Sequence, residues 1–116
     1  MNEFSLIFRN EQHPGVQFSP EQMQDILVQW RDWMGSIAAQ NKLASSGARL
    51  GVEGKVLKPN DVVTDGPYVE LKEMLSGFII VKGADINEAA EIAKGCPILK
   101  VGGSVEVRSI IPMSMN

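Results

Sequence analysis

The order of predicted elements along this 116-residue chain is β-α-β-β(-β)-α-β, and the two helices are the feature that most constrains the fold. The first helix opens with the capping sequence Ser19 to Gln22, in which Ser suits the N-cap and Pro the first helical position. The second opens with the capping pattern Asp85 to Glu88 and stops at Gly95. Helices that connect sequential strands by similar crossovers lie on one face of the sheet. The sequence therefore predicts an α+β fold, a ferredoxin-like β-α-β-β-α-β with an antiparallel sheet that has one bare face.

The remaining elements are placed by periodicity and by glycines. The first helix is predicted to run to about Asn41 and to end near Ser46-Gly47. Residues 48 to 60 are rich in glycine and predict one short strand or an irregular pair of strands. A buried strand is predicted at Gly77–Val81 and a final strand at Val101–Ile111. The first helix carries one broad apolar stripe at spacings of three and four. Its members are Met23, Ile26, Leu27, Trp30, Trp33, Met34 and Ile37.

The first and last predicted strands indicate what the bare face carries. Glu3 to Arg9 alternates, with Phe4, Leu6 and Phe8 on the core side. In the last strand, Val105 and Val107 fall on one side and the charged residues on the other. These two strands are antiparallel neighbours in a ferredoxin-like sheet. Four charged residues are therefore predicted to share the bare face: Glu3, Arg9, Glu106 and Arg108.

The alternation leaves two interpretations of this face open. One is a solvated face with cross-strand ion pairs, each worth a few tenths of a kcal/mol. The other is a homodimer in which two such faces meet and enclose a polar cavity, with apolar area from Ile7, Ile79 and Ile110.

Composition excludes several classes of protein. Net charge is -3, the pI is about 5.1, and Lys and Arg are scattered, so no nucleic-acid partner is expected. The single cysteine permits no intrachain disulfide and fits a cytoplasmic location. The chain has no run of about 18 apolar residues and no signal-peptide pattern, so no membrane partner is expected. A single domain over residues 1–116 is predicted.

The stretch VVTDGPYVELKE, Val62 to Glu73, is followed by GFIIVKGADINEAAEIAKGCPI and GGSVEVRSI. Together these motifs resemble the YCII-related family in its DGPF subgroup, and the first strand and the SPEQM helix start also fit. The resemblance implies a ferredoxin-like fold that pairs into a dimeric α+β barrel, which favours the enclosed cavity. Related barrels include monooxygenases, isomerases and a dehydrochlorinase-type lyase, and some members are encoded near sigma factors.

The chain departs from the family pattern at several positions. Tyr68 stands where Phe is typical, and Ser109 stands where the family often has Pro after Glu-Val-Arg. Better understood members use a His–Asp pair, whereas the only histidine here is His13, in a loop that matches no family motif. The resemblance therefore does not carry a His–Asp mechanism over to this chain.

Asp65 is the candidate catalytic residue, as a base or ligand acceptor at a pocket mouth. Its alternative role is structural, because Asp before Gly-Pro accepts hydrogen bonds from nearby backbone N–H groups. If the following segment is extended, Tyr68, Glu70 and Lys72 share a face. Tyr68 and Glu70 are candidate substrate-binding residues, whereas Lys72 and Glu73 are assigned to a solvated edge.

Arg9, Glu106, Arg108 and His13 complete the candidate substrate-binding set. Charges on a central strand are costly unless paired or hydrated, so a structural pair is one interpretation. Arg also binds carboxylates through bidentate hydrogen bonds, and an anionic or carbonyl-bearing guest fits Arg108. His13 is either a solvent-exposed loop residue or an acid/base if its loop covers the pocket.

No metal site and no cofactor are predicted, because one His and one Cys far apart make no ligand spacing, and Gly102-Gly103 precedes a strand. Cys96 is predicted to be structural. Two functional hypotheses stand. The first is a small-molecule-binding homodimer that runs a cofactor-free proton transfer or elimination. The second is a non-catalytic regulatory module that binds a partner such as a sigma factor.

Overall fold

The computed structural model describes residues 1–10, 18–51, 53–66 and 74–113. Two helices, six strands and one short 3-10 helix, Pro97–Val101, make up this part of the chain. Their bounds are β1 (Asn2–Asn10), α1 (Pro20–Ala39), β2 (Leu43–Arg49), β3 (Gly54–Lys58), β4 (Val62–Gly66), β5 (Met74–Gly83), α2 (Ile86–Ala93) and β6 (Ser104–Ser109).

The main sheet has the strand order β2-β5-β1-β6, and every neighbouring pair in it is antiparallel. That order is the ferredoxin-like one, with β1 and β6 side by side. The predicted fold class is confirmed. Strands β3 and β4 form a separate two-stranded antiparallel sheet between β2 and β5 in the chain.

Both predicted helix starts are confirmed. Ser19 Oγ accepts from Gln22 N–H and the Gln22 side chain accepts from Ser19 N–H, which is a complete capping box. The Asp85 carboxylate accepts from Glu88 N–H at 2.9 Å. The start of each helix is therefore fixed by its own N-cap residue and first turn.

The predicted end of the first helix near Ser46-Gly47 is wrong. Helix α1 ends at Ala39, Asn41 takes a positive φ of 60°, and β2 occupies residues 43–49. The sequence of β2, LASSGAR, shows no clear alternation, and the strand forms by pairing with β5 through two register shifts. Tertiary pairing, not local pattern, thus decides this strand.

The core lies between the sheet and the two helices. Phe4, Leu6 and Phe8 are buried there, as the alternation predicts. Ile79 is also buried, at 2% exposure, and pairs with Leu6. Its predicted place on the bare face is therefore wrong, and Phe78 and Ile80 occupy that face of β5 instead.

Helix α1 packs through its second half only. Trp33 and Ile37 are buried, and Trp33 Nε1 donates to the Ile92 carbonyl of α2 at 3.1 Å. In the first half, Met23 is 42% exposed and Leu27 is 56% exposed. The predicted apolar stripe is continuous along the helix, but the domain covers only part of it.

Candidate functional site

The bare sheet face carries apolar residues in its middle and charged residues around them. In the register, Ser5 is opposite Ile80 on one side and Arg108 on the other, and Ile7 lies between Phe78 and Glu106. These side chains are half-buried, except that Arg108 is exposed. The bare sheet face is defined by Ser5, Ile7, Arg9, Phe78, Ile80, Glu106 and Arg108.

Three of the predicted site residues meet on this face. Arg9 Nε and Nη2 donate to Glu106 Oε1 at 3.3 and 3.1 Å, and Arg108 Nη1 donates to Glu106 Oε2 at 3.1 Å. One carboxylate thus bridges two guanidinium groups, from β1 and from its own strand. Glu3 is on the same face but opposite Lys82 of β5. The predicted sharing of one surface is confirmed.

The two arginines of this cluster differ in exposure. The Arg9 side chain is 31% exposed, and the Arg108 side chain is 68% exposed. Within the part of the chain that the structure describes, the bond to Glu106 is the one hydrogen bond of the Arg108 guanidinium. Most of the Arg108 donors therefore face solvent.

The two arginines hold Glu106 in its ionised form. Hydrogen bonds from Arg108 and then from Arg9 lower the pKa of Glu106 below its usual range. Glu106 is thus ionised at neutral pH. An anionic group placed beside Arg108 would meet guanidinium N–H donors that are largely exposed to solvent.

Asp65 lies elsewhere, at the end of β4. Its side chain is 92% exposed, and Oδ1 accepts from Lys55 Nζ of β3 at 2.6 Å. Among the described residues, no backbone N–H donates to this carboxylate, and no contact links it to the arginine cluster. The structure therefore places the candidate base and the candidate anion-binding group in two different sheets.

Tyr68, Glu70 and His13 lie outside the described residues. Their predicted roles in substrate binding stay predictions.

A cavity of about 430 Å³ lies where the starts of β1 and α2 meet the end of β6. Its lining includes Phe4, Ile86 and Ile110, together with Glu3 and Asp85. None of the predicted site residues lines it, and the Asp85 carboxylate already caps α2. The charged cluster on the bare sheet face is the better candidate site, because its polar groups converge on one exposed position.

The described residues give little support for thiol chemistry or metal binding. Cys96 is 1% exposed, and burial raises its pKa to about 11, so it is a buried neutral thiol. No group of three His, Cys, Asp or Glu side chains among residues 1–10, 18–51, 53–66 and 74–113 is placed to hold a metal ion. Over the same ranges, neither helix has the length and apolar character needed to cross a membrane.

Comparisons with known proteins show the family of this chain. The profile of the YCII-related domain family matches residues 5–114. No curated protein matches. One similar solved structure is 5-chloro-2-hydroxyhydroquinone dehydrochlorinase from Burkholderia phenoliruptrix AC1100 in complex with 2,5-dihydroxybenzoquinone. It is 20% identical, 90% of each chain is covered, and the TM-score is 0.45. That similarity is too low to transfer a ligand or a mechanism.

Proposed function

This chain belongs to the family of YCII-related domains, and we propose that it binds a small organic anion on the bare sheet face. The observation that carries the proposal is the Arg9–Glu106–Arg108 cluster. Glu106 holds both guanidinium groups, and Arg108 keeps 68% of its side chain exposed. A carboxylate or a polarised carbonyl is the group that such an arginine binds.

A second copy of the chain closes the site in this proposal. The apolar middle of the bare sheet face, Ile7, Phe78 and Ile80, is half-buried in one copy and gains further burial when two faces meet. Two opposed faces would turn an open surface into a water-poor pocket, where hydrogen bonds to an anion strengthen. The homodimer, its cytoplasmic location and membership of the DGPF subgroup are parts of the proposal.

Asp65 remains the candidate base for a cofactor-free proton transfer or elimination. Its support is an exposed carboxylate with one described donor, Lys55, which leaves Oδ2 open to a substrate proton. Tyr68 and Glu70 follow it in the chain and would orient the substrate. For this role, the β3–β4 sheet must come against the bare sheet face of one of the two copies.

The experiment titrates the chain with a panel of small aromatic and aliphatic carboxylates and measures binding by calorimetry. We expect Arg108→Gln to weaken the best binder by roughly tenfold or more, since a hydrogen bond to a charged group is worth about 1.5–3 kcal/mol. Arg31→Gln is the matched control, because Arg31 is an exposed arginine of α1 without a described ion pair. Equal affinity in the two variants would contradict the proposal.

A second arm separates binding from catalysis. If a bound compound is turned over, Asp65→Asn should abolish turnover and leave its affinity nearly unchanged. Binding without turnover of any compound would favour the non-catalytic regulatory module. Absence of binding across the panel would direct the search to protein partners such as sigma factors.

A further inference from the structure

Ser5 lies at the centre of the bare sheet face. It belongs to β1, which has β5 on one side and β6 on the other, and its register partners there are Ile80 and Arg108. Directly opposite residues of antiparallel strands have their Cβ atoms about 4.5–5.5 Å apart. Along β1, the next residues on the same face are Glu3 and Ile7. The short serine side chain is thus surrounded by longer ones, which makes a depression in the face at this position.

The Ser5 hydroxyl is available to a ligand. In the part of the chain that the structure describes, no group hydrogen-bonds to it, and no buried side-chain oxygen or nitrogen lacks a partner, so the hydroxyl of this half-buried residue reaches solvent. Other serines of the sheet are already engaged. Ser45 Oγ accepts from Gly47 N–H at 3.0 Å. Ser76 Oγ donates to the Phe8 carbonyl at 3.2 Å.

Stability alone does not explain a serine at this position. Central strands favour β-branched and aromatic residues, and Ile7 is such a residue on the same face of β1. A hydroxyl that is partly covered without a protein partner costs free energy. Positions that contradict the local structural preference are expected at functional sites. Ser5 is such a position, and its cross-strand neighbour Arg108 keeps 68% of its side chain exposed.

The two sides of the depression differ in polarity. On the β6 side, Arg108 is held by Glu106 at 3.1 Å and offers its remaining N–H donors to solvent. On the β5 side, Ile80 and Phe78 are half-buried and uncharged. Neighbouring strands are about 4.8 Å apart, so β5 and β6 lie about 10 Å from each other across β1. A ligand that crosses the three strands meets donors at one end and apolar side chains at the other.

Charges further along the face favour a ligand with a single anionic group. Glu3 of β1 and Lys82 of β5 are directly opposite each other on the bare sheet face. Opposite charges in such a pair attract each other. A second carboxylate over Ile80 would meet Glu3 as well as Lys82, and it would lose hydration over an apolar side chain.

We propose that Ser5 is a ligand-binding residue of the anion site and that the ligand is a monocarboxylate with an apolar body. One carboxylate oxygen accepts from the Arg108 guanidinium, and the other accepts from the Ser5 hydroxyl. The apolar body lies in the depression and covers Ile80 and Phe78. This inference rests on the proposed anion site, to which it adds a second anion-binding group and the kind of anion that fits.

Calorimetric titration of the full chain with hexanoate tests the role of Ser5. We expect Ser5→Ala to weaken binding roughly tenfold, because a hydrogen bond to a charged group is lost. Ser5→Thr should restore most of the affinity, since it keeps the hydroxyl on a side chain that strands favour. Ser109→Ala is the matched control and should bind as wild type does. Ser109 follows Arg108 in β6 but is opposite Phe4, on the other side of the sheet, and it lines the cavity at the start of β1.

A second ligand tests the apolar body. Acetate should bind wild type at least about tenfold more weakly than hexanoate does, because it lacks the methylene groups that would cover Ile80 and Phe78. Equal affinity for acetate and hexanoate would overturn the proposed class of ligand.

Arg108→Gln separates the failure of this inference from the failure of the anion site. Hexanoate binding that is lost in Arg108→Gln but unchanged in Ser5→Ala would overturn the role of Ser5 and leave the anion site standing. Weaker binding in Ser109→Ala, with none in Ser5→Ala, would place the ligand in the cavity instead. Binding that Arg108→Gln does not change would contradict the anion site and this inference together.

Discussion

Glu106 is the residue on which the candidate site depends. It accepts hydrogen bonds from two arginines on neighbouring strands, and both lower its pKa. A carboxylate in this position does more than offset charge, because it fixes the direction of the Arg108 guanidinium while leaving most of that side chain in solvent. Arg9 is the more covered partner and Arg108 the one available to a ligand.

The first prediction concerns pH. Because the folded pKa of Glu106 is lowered, its contribution to stability is present above the unfolded value of about 4.3 and is lost as pH falls through the lowered folded value. Glu106→Gln should therefore melt at a lower temperature than wild type at pH 7, and the difference should shrink as pH falls below about 4.3. Melting curves from pH 7 to pH 3 measure it. A difference that stays constant across this range would show that Glu106 is not held ionised by its arginines.

At the level of elements, β2 is the one that the tertiary structure shapes most. Its pairing with β5 shifts register twice, between Leu43 and Ser45 and between Ser45 and Ala48. Gly47 lies inside the second shift with φ of 62°, and its N–H donates to Ser45 Oγ at 3.0 Å. A Cβ at Gly47 would overlap the Phe78 carbonyl oxygen of β5. The irregular strand is therefore possible only with glycine here.

The second prediction is that Gly47→Ala lowers the free energy of unfolding by roughly 1–3 kcal/mol, through the strained φ and the loss of pairing with β5. Gly35→Ala is the matched control, since Gly35 lies in α1 with nothing within 4 Å of an added Cβ. It should raise stability by about 0.5–1 kcal/mol from helix propensity. Urea unfolding of both variants measures the two effects. A Gly47→Ala protein as stable as wild type would mean that β2 can pair without the bulge.

The whole molecule is thin and extended. Its dimensions are 50 × 42 × 18 Å, and its radius of gyration is 16.1 Å, against about 13.4 Å for a compact domain of this length. One sheet and one helix layer account for the thickness. A sheet with an apolar middle on its uncovered side is stabilised by another layer. The shape of the chain thus favours association with a second copy.

The third prediction belongs to that scale. Ile80→Lys, at the apolar middle of the bare sheet face, should convert the proposed dimer to a monomer, because two lysines would then face each other in the interface. Ile86→Lys on α2, at a residue that is 48% exposed, is the control and should stay dimeric. Light scattering at micromolar concentration distinguishes the two states. A wild-type chain that is monomeric there would contradict the dimer itself.

The sequence by itself determined the features that depend on local physics. Alternation in β1 assigned Phe4 and Arg9 to opposite faces, and cap residues set both helix starts. Topological rules then put β1 beside β6, so it could be predicted before any coordinates that Arg9 and Glu106 share one face of the sheet.

Only the tertiary structure decided the features that depend on partners distant in the chain. The sequence of β2 shows no alternation of its own. The continuous apolar run at Gly77–Val81 does not tell which of its residues face the helices, and the periodicity along α1 does not tell which part of that helix the domain buries. Alternation and periodicity describe a strand or a helix from within, whereas register and burial are set by the neighbour that the element packs against. For this reason the sequence predicted which charged residues share the bare sheet face, whereas only the structure showed which of them are in contact and separated them from Asp65.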